Sequence, residues 1–340
     1  MRTLHLLVLL FLFTNCSNNK PEKITDLFPP SETISHEVLK EDVLNLPFQI
    51  IYRNGYLIIS DFKSDSIISI YNIQKNEIET KFLTIGGGPN ETVDYPGSEF
   101  MLNDTTLIWL DAVSCIRKAV FSENMKEVKS VEKICDLNRQ MSVMDIVPLA
   151  TGKYVAAGRF DKGFYALMDS NGEVESYKYD YPVDNVKVDN SMKGFIYQGE
   201  FVSNPDNTKF AFFTYQTEII EFFKINDQDG FEKQKEYHFK YPKYSQEPMM
   251  PMPMIEDGSI CFLKGCATEK FIYLLYLGKK MSELKSFTES QTVLVFNWKG
   301  KPVKHYNLDI VVSTIAVDEN DKILYATTNN PEGTLVSFKL

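Results

Sequence analysis

The stretch IISIYNIQKNEIETKF, residues 67–82, consists of an apolar strand, a polar turn and a second strand in which apolar and polar residues alternate. Such alternation is typical of a β-hairpin with one face buried and the other exposed to solvent. The same unit recurs at residues 116–132, 164–179, 219–239 and 293–308. A hairpin repeated at nearly regular spacing predicts a repeat architecture built of small β-sheets.

Each hairpin is preceded by an apolar strand, and a further apolar segment lies upstream, as PFQIIY does before the first hairpin. The unit therefore has four strands, the size of one propeller blade. A sixth unit begins with VSTIAVDENDKILYAT, residues 312–327, and lacks an outermost strand. We predict that ETISHEVLK, residues 32–40, supplies that strand and leaves no open edge. The sequence thus predicts an all-β protein, a six-bladed β-propeller closed by pairing of its N- and C-terminal strands over residues 32–340.

The six-unit ring, the segment VSTIAVDENDKILYAT and the segment IGGGPNE, residues 85–91, together resemble the TolB-like six-bladed β-propeller lipoproteins of Gram-negative gut anaerobes. That family is itself similar to the NHL propellers. The resemblance covers essentially the whole mature chain and implies the propeller fold and a place in the cell envelope, but little chemistry. Gly87 stands where the family has a basic residue, which argues against an anion-binding role for this segment.

The N-terminus has the layout of an export signal. Arg2 is followed by an apolar run over residues 6–13, which is too short to span a bilayer. Residues 13–17, FTNCS, resemble a bacterial lipobox, although Phe13 and Asn15 depart from its commonest residues. We therefore expect a signal peptide over residues 1–15, a lipid on Cys16 and a tether over residues 16–31. The following Ser17 favours the outer membrane by resemblance to known sorting, and leaves the periplasmic or surface side open.

Charge and cysteine content exclude other classes of protein. The chain has 36 Lys and Arg against 46 Asp and Glu, a net charge of -10, which repels nucleic acid. Besides Cys16, the sequence contains Cys115, Cys135, Cys261 and Cys266, whose spacing fits no zinc site. We interpret them as small apolar side chains on strands. A disulfide between Cys261 and Cys266 is the alternative in an oxidising envelope.

Three motifs resemble ligand-binding sites, but a structural role as a turn or as apolar packing explains each of them better. The glycines at 86–88 are not followed by a helix, so we predict a tight turn needing positive φ rather than a phosphate loop. The methionines of PMMPMPM, residues 248–254, are expected to fill apolar gaps rather than bind Cu(I). The segment NDQDG, residues 226–230, lacks the outer ligands of a calcium loop. We therefore predict no metal and no cofactor.

The long loops are predicted to gather on one face of the ring. In a four-stranded antiparallel blade, the second and fourth strands end at the same edge, and the longest insertions follow these strands. In repeat proteins such a face commonly binds the partner. Asp61, Asp111 and Arg159 are the preferred ligand contacts, because acidic and basic groups that converge at a mouth hold a polar partner. The full candidate set on this face is Asp61, Asp111, Arg159, Tyr215, Tyr276, Gly86, Gly87, Gly88 and Pro89.

The sequence is poor in catalytic residue types. After residue 15 only His36, His238 and His305 remain, and the nucleophile motif G-x-S-x-G is absent. This favours a binding or scaffolding module that is held at a membrane by its lipid and recognises a protein or glycan partner. The alternative is a hydrolase or lyase whose Asp and Arg side chains act at the central mouth of the propeller. The identity of the ligand and the oligomeric state stay open.

Overall fold

The computed structural model describes residues 21–88, 90–111, 115–183, 188–226, 230–242, 244, 258–284 and 289–340. Their strands form six sheets of four or five strands, arranged as blades around an axis, so the predicted all-β, six-bladed β-propeller is confirmed. Runs of Ile, Val, Phe and Tyr make the second and third strands of each blade, because both faces of these strands pack against neighbouring blades.

The first half of the chain contains two leading strands and three blades. The leading strands are β1 (Glu32–Ile34) and β2 (His36–Lys40). Blade 1 contains β3 (Pro47–Arg53), β4 (Tyr56–Asp61), β5 (Ile68–Asn72) and β6 (Glu77–Phe82). It is followed by a parallel pair, β7 (Thr84–Ile85) and β8 (Glu91–Thr92). Blade 2 contains β9 (Glu99–Asn103), β10 (Thr106–Asp111), β11 (Cys115–Phe121) and β12 (Val128–Asp136). Blade 3 contains β13 (Val143–Pro148), β14 (Tyr154–Gly158), β15 (Tyr165–Met168) and β16 (Val174–Lys178).

The second half contains three further blades. Blade 4 contains β17 (Gly199–Ser203), β18 (Lys209–Thr214), β19 (Ile219–Asn226) and β20 (Gly230–His238). Blade 5 contains β21 (Ser259–Ala267), β22 (Phe271–Lys280), β23 (Ser290–Asn297) and β24 (Pro302–Val312). Blade 6 contains β25 (Thr314–Val317), β26 (Ile323–Thr328) and β27 (Thr334–Lys339).

The helices of the described residues are short and lie in the segments that precede or connect these strands. The α-helix α1 (Asn190–Ile196) lies in the loop between blades 3 and 4, where the sequence predicted no helix. The described part of the chain also contains 3-10 helices at Ile24–Leu27, Arg139–Met141 and Met281–Glu283. No helix in the described part of the chain is long and apolar enough to cross a membrane.

The first strand of every blade lies at the axis, and these inner strands form a closed ring. Strands β3, β9, β13, β17, β21 and β25 each contact the next in this order, and β25 contacts β3. All six inner strands begin at the same face of the ring, because each is antiparallel to a second strand that ends there. We call this the upper face and the opposite one the lower face. The fourth strands also end at the upper face, so the long inter-blade loops lie on it.

The N-terminal strands close the ring in a way that only partly matches the prediction. Strand β2 pairs antiparallel with β27, Val38 opposite Val336, and supplies the outermost strand of blade 6. Strand β1 pairs instead with β24 in parallel, Glu32 opposite Tyr306, and adds a fifth strand to blade 5. The expectation that all of residues 32–40 belong to the last blade was therefore wrong for residues 32–34.

The chain packs onto the propeller before the predicted boundary at residue 32. The Ile24 side chain is fully buried between blades 4 and 5, and its backbone N–H donates to Glu218 Oε2 at 2.7 Å. The Phe28 ring meets Phe296 edge-on with centroids 4.9 Å apart. Residues 24–28 thus belong to the packed domain. The signal peptide, Cys16 and the first part of the predicted tether lie outside the described residues.

The thiols on β21 do not form the disulfide that the sequence left open. Cys261 and Cys266 are both free. Cys261 packs into the apolar core between blades 4 and 5, whereas Cys266 packs with the core between blades 5 and 6. The two side chains therefore point to opposite faces of one strand and cannot meet. Burial raises the pKa of the Cys261 thiol to about 12, which makes it unreactive.

Candidate functional site

A cavity of about 320 Å³ lies on the axis and is lined by all six inner strands. The inner strands of blades 2, 3 and 4 each have an acidic residue followed by an apolar one within their first three positions: Glu99, Asp145 and Glu200. Strand β21 contributes Lys264 to the same cavity. Because side chains alternate along a strand, the apolar neighbour packs between blades while the acid takes the other direction. Three carboxyl groups and one ammonium group therefore share the wall of a small space.

Glu200 and Lys264 form the charged pair of this cluster. Lys264 Nζ lies 2.9 Å from Glu200 Oε2, and the Tyr215 hydroxyl donates to the same oxygen at 3.4 Å. Burial, followed by the negative charge of Glu200, raises the pKa of Tyr215 well above its usual range. The Tyr215 hydroxyl therefore keeps the proton that it donates to Glu200, and its oxygen can still accept a hydrogen bond.

Asp145 accepts hydrogen bonds from residues of the two neighbouring blades. Its Oδ2 accepts the Phe201 backbone N–H at 2.6 Å, and its Oδ1 accepts the Ser98 hydroxyl. Burial raises the pKa of this carboxyl well above its usual range, and the nearby charge of Glu200 acts in the same direction. Asp145 thus links blades 2, 3 and 4 at the rim of the cavity.

Glu99 is the member of the cluster with the least complete hydrogen bonding. The Ser60 hydroxyl donates to Glu99 Oε2 at 2.6 Å, whereas the buried Oε1 has no hydrogen-bond partner among the residues that the structure describes. Burial raises the pKa of Glu99 to about 7. A buried carboxylate oxygen without a partner carries a desolvation cost, so such groups are rare in folded proteins. Glu99 is therefore a carboxyl group that changes charge near neutral pH beside the cavity.

Aromatic rings flank the cavity at the upper face. Phe48, which lines the cavity, stacks on Phe62 with ring centroids 4.0 Å apart. Tyr95 meets Phe62 edge-on at 4.5 Å, and its hydroxyl donates to the Phe62 carbonyl oxygen. These half-buried rings form an apolar platform next to the polar cluster, an arrangement that suits ligands with both apolar and polar faces.

Asp61 and Asp111 were predicted from the sequence as ligand contacts. Both instead accept hydrogen bonds from nearby residues at the upper rim of the ring. Asp61 accepts the backbone N–H groups of Asn45 and Leu46, each at 2.7 Å. Asp111 accepts the Thr92 hydroxyl at 2.9 Å, and Arg117 Nη1 lies 3.7 Å away. Both carboxylates are buried, and neither lines the axial cavity. They hold the upper loops onto the strands.

Arg159 and Tyr276 also lie away from the cavity. The Arg159 guanidinium stacks over the Phe195 ring of α1 at 4.3 Å, and its Nε donates to the Ser191 carbonyl oxygen at 3.4 Å. Tyr276 lies inside β22, four residues before that strand ends at Lys280, and its hydroxyl donates to Glu218 Oε1 at 2.7 Å. Of the five side chains predicted at the ends of second strands, the structure brings only Tyr215 to the cavity.

The glycine turn holds a carboxylate of its own chain. The Gly88 N–H donates to Glu91 Oε2 at 2.6 Å. A Cβ on Gly86 or Gly88 would overlap the Glu91 carboxyl group, and none of the three glycines has a positive φ. The expected reason for the glycines was therefore wrong: Gly86 and Gly88 make room for Glu91. No atom of the described residues lies near the Cβ position of Gly87. Pro89 lies outside the described residues, as do Met250, Met252 and Met254.

A second group of titratable side chains lies between blades 3 and 4. Carboxylate oxygens of Glu221 and Glu236 and a ring nitrogen of His238 lie within 4.8 Å of one another, close enough to suggest a metal site. Lys233 Nζ, however, lies 2.7 Å from Glu221 Oε1 and 2.8 Å from Glu236 Oε2. The chain thus places its own cation between the two carboxylates.

A known protein family and several solved structures share the fold of this chain. The TolB-like 6-blade propeller-like family matches residues 27–320. A member of the DUF4221 family from Bacteroides vulgatus is 14% identical, with 91% of this chain and 96% of that chain covered and a TM-score of 0.53. The Cps50 (Swd1) propeller domain of Myceliophteria thermophila is 7% identical, with 90% and 99% covered and a TM-score of 0.53. At such low identity, the similarity to these two structures shows only that the fold is shared.

Two further comparisons carry no argument about function. Raptor from Chaetomium thermophilum is 11% identical and has a TM-score of 0.48. The alignment covers 87% of this chain but only 28% of the Raptor chain. No curated protein matches the sequence significantly. Function must therefore be argued from the cavity itself.

Proposed function

The chain belongs to the TolB-like six-blade propeller family, and we propose that it is a lipid-anchored binding protein of the cell envelope. Its axial cavity is proposed to recognise a protein or glycan partner. The observation that carries this proposal is the cluster of Glu99, Asp145, Glu200 and Lys264 around one cavity. A buried polar cluster costs free energy unless its groups are satisfied, and a ligand can supply the missing hydrogen bonds.

The size and lining of the cavity restrict what enters it. A volume of about 320 Å³ lies at the lower end of small-ligand pockets. It accommodates a single sugar ring or one extended side chain of a larger partner rather than a folded surface. Carboxylates, the Lys264 ammonium and the Tyr215 hydroxyl offer acceptors and donors for hydroxyl or amide groups, and Phe48 offers an apolar face. We propose that the end of a glycan or an exposed peptide segment is bound here.

The other residues predicted on the upper face remain candidates for contacts outside the cavity. Asp61, Asp111, Arg159 and Tyr276 lie on or near the rim from which the upper loops extend. Their carboxylate, guanidinium and hydroxyl groups already bond within the chain, so they shape the loops that a partner would meet. We propose that the cavity provides the anchor point and the loops provide the surrounding surface.

Binding is tested by calorimetric titration of two ligand panels, envelope-type oligosaccharides and short peptides. We expect a member of one panel to bind, and Glu200→Gln to weaken that binding at least about tenfold by removing an ionic acceptor. Glu132→Gln, in the exposed pair with Lys118 on blade 2, is the matched control and should bind as the wild type does. A ligand whose affinity is unchanged by both Glu200→Gln and Glu99→Gln binds elsewhere and contradicts the proposal.

Anchoring in the envelope is proposed from the lipobox-like segment at Cys16 and is tested separately. Mass spectrometry of the N-terminal peptide of the native protein should show a diacylglyceryl group on Cys16. A peptide that retains Met1 and carries no lipid would contradict the anchor but not the binding site. The proposed compartment is the outer membrane, with the periplasmic and surface sides as alternatives that protease accessibility of intact cells distinguishes.

One observation favours an enzyme as the second candidate. The carboxyl group of Glu99, with a pKa raised to about 7 by burial, has the proton affinity that a general acid or base needs at neutral pH. A hydrolase or lyase acting on a glycan at the mouth of the cavity would use this group. Product analysis after incubation with the oligosaccharide panel decides: turnover that is lost in Glu99→Gln while binding persists supports catalysis. Binding without turnover supports the binding protein.

A further inference from the structure

The axial cavity has more acidic than basic groups in its wall. The charged residues that line it are Glu99, Asp145, Glu200, Arg53 and Lys264. Arg53 lies at the lower end of β3, where its Nε is 2.9 Å from Asp104 Oδ1. Lys264 already pairs with Glu200. Among the described lining residues, both cations are thus engaged, whereas the carboxyl groups of Glu99 and Asp145 line the cavity without an ion pair.

Glu99 is the acid in this wall that lacks a donor on one oxygen. Asp145 accepts hydrogen bonds on both oxygens. Glu99 is only 5% exposed and has the Ser60 hydroxyl on Oε2, but no partner for Oε1 among the described residues. The last torsion of a glutamate side chain is broad, so a small rotation presents the carboxyl group to a donor in the cavity. A charged donor suits it best, because a hydrogen bond to an ammonium group is about twice as strong as a neutral one.

The shape of the cavity favours a linear side chain. Its wall includes residues 48–53 of β3 and residues 199–203 of β17, and both runs extend along the axis. Six residues of a strand span about 17 Å, so a cavity of about 320 Å³ is long and narrow. The apolar residues Phe48 and Met101 belong to the same wall. A lysine fits such a space, because its four-carbon stem is apolar and only its end is charged.

We propose that the cavity binds the side chain of an exposed lysine on a partner protein, with the ammonium group bound to the carboxyl group of Glu99 and the stem against Phe48. This inference rests on the proposed function, which makes the cavity a binding site, and narrows the partner to a protein. A sugar ring carries hydroxyl groups around its edge, which the apolar part of the wall would leave without partners. The net charge of -10 attracts a partner with exposed basic residues.

Binding of an ammonium group should be linked to the protonation of Glu99. Burial raises the pKa of this carboxyl group to about 7, and a bound cation favours its charged form. Binding below pH 7 should therefore release a proton. Affinity for the lysine should rise about tenfold from pH 6 to pH 8, as the charged fraction of Glu99 does.

Other titratable and charged groups face Glu99 across the cavity. They are Asp145 on β13, Glu200 on β17, Tyr215 after β18, Lys264 and Cys266 on β21, and Arg53 on β3. Burial raises the pKa values of Tyr215 and Cys266, so both keep their protons below pH 8. Burial also raises the pKa of Asp145, which makes it the alternative source of a released proton. Proton release that persists in Glu99→Gln would assign it to Asp145 and overturn the placement of the ammonium group at Glu99.

The probe is a blocked alanine peptide with one central lysine, and its matched control carries Nε-acetyl-lysine at that position. Calorimetric titration at pH 8, up to millimolar peptide, should show saturable binding of the lysine peptide and at least about tenfold weaker binding of the acetylated one. Glu99→Gln should weaken binding to a similar extent, and Glu132→Gln, in the exposed pair on blade 2, should not. At pH 6, titration in buffers of different ionisation enthalpy should show proton release that is lost in Glu99→Gln.

The outcomes separate this inference from the proposed function. Equal affinity for the two peptides, or no binding of the lysine peptide, overturns the inference. If a neutral oligosaccharide then binds and Glu200→Gln weakens that binding, the cavity is still a binding site and the proposed function stands. Tighter binding of a chitosan tetramer than of the lysine peptide overturns the protein partner in favour of an amino-sugar glycan. Failure of every peptide and oligosaccharide to bind in a way that depends on Glu99 or Glu200 contradicts both.

Discussion

Glu221, between blades 3 and 4, and Glu99, beside the axial cavity, are both buried carboxyl groups, but their surroundings differ. Glu221 accepts hydrogen bonds from Lys233 at 2.7 Å and Tyr165 at 2.6 Å, and lies 3.3 Å from His238. Although burial alone would raise its pKa, these partners lower it. Glu99 has the Ser60 hydroxyl alone on one oxygen, and burial raises its pKa to about 7. A fully paired buried charge holds blades together, whereas an incompletely paired one beside a cavity is available to a ligand.

Removing the paired carboxylate should have the largest effect on stability. Glu221→Gln removes one of the two carboxylates that hold the Lys233 ammonium and leaves only the more exposed Glu236 beside it. Breaking a buried ion pair costs about 3 to 5 kcal/mol, and because Glu236 remains we expect the free energy of unfolding in urea to fall by about 3 kcal/mol. The control is Glu132→Gln, whose pair with Lys118 is exposed to solvent and should contribute little to the free energy of unfolding. Equal losses in both variants would show that pairing of Glu221 does not hold the blades together.

Glu99 should lower the stability of the folded protein only at pH values at which its carboxyl group is charged. Its pKa in the folded protein is about 7, above the ordinary value of 4.5, so the folded state binds a proton more tightly than the unfolded state. The free energy of unfolding should therefore fall as pH rises from 4.5 to 7, by at most about 3 kcal/mol, and level off above that. Glu99→Gln should remove this decline, which urea titrations at pH 5 and pH 8 measure. A decline of the same size in the variant would place the titrating group elsewhere.

Glu91→Ala, at the glycine turn, should have the smallest effect on the free energy of unfolding. Glu91 accepts the Gly88 N–H at 2.6 Å but is partly exposed, so water replaces part of what Glu91→Ala removes. We expect a loss of about 1 kcal/mol in the free energy of unfolding. Glu173→Ala, at an exposed hairpin turn on the lower face, should change it by less than about 0.5 kcal/mol. A loss at Glu91 as large as that at Glu221 would mean that the turn is an essential part of the fold.

The blades could be predicted from the sequence because alternation of apolar and polar residues is a local property. The hairpin at residues 67–82 became β5 and β6, and each of its repeats became the outer hairpin of a blade. The path of residues 32–34 could not be predicted in this way. Their pairing with β24 depends on residues about 270 positions away, and a three-residue strand carries no periodicity of its own.

The candidate site was missed because its members look ordinary in the sequence. Glu99, Asp145 and Glu200 are single acids about 50 residues apart, and only the ring brings them to one cavity. A signal was present: each is followed by an apolar residue at the start of an inner strand, in SEF, MDI and GEF. The aspartates that were chosen instead, Asp61 and Asp111, are at the ends of second strands, which lie one strand further from the axis.

The pairing of β2 with β27 sets an order of events for a chain made from its N-terminus. Strand β2 has no partner in its own blade until β27, almost 300 residues later, has been synthesised. A contact between residues so distant in sequence closes late and slowly, because the intervening chain must first be ordered. The ring therefore locks only after all of the blades between these two strands have been made, and until then the N-terminal strand stays without its partner.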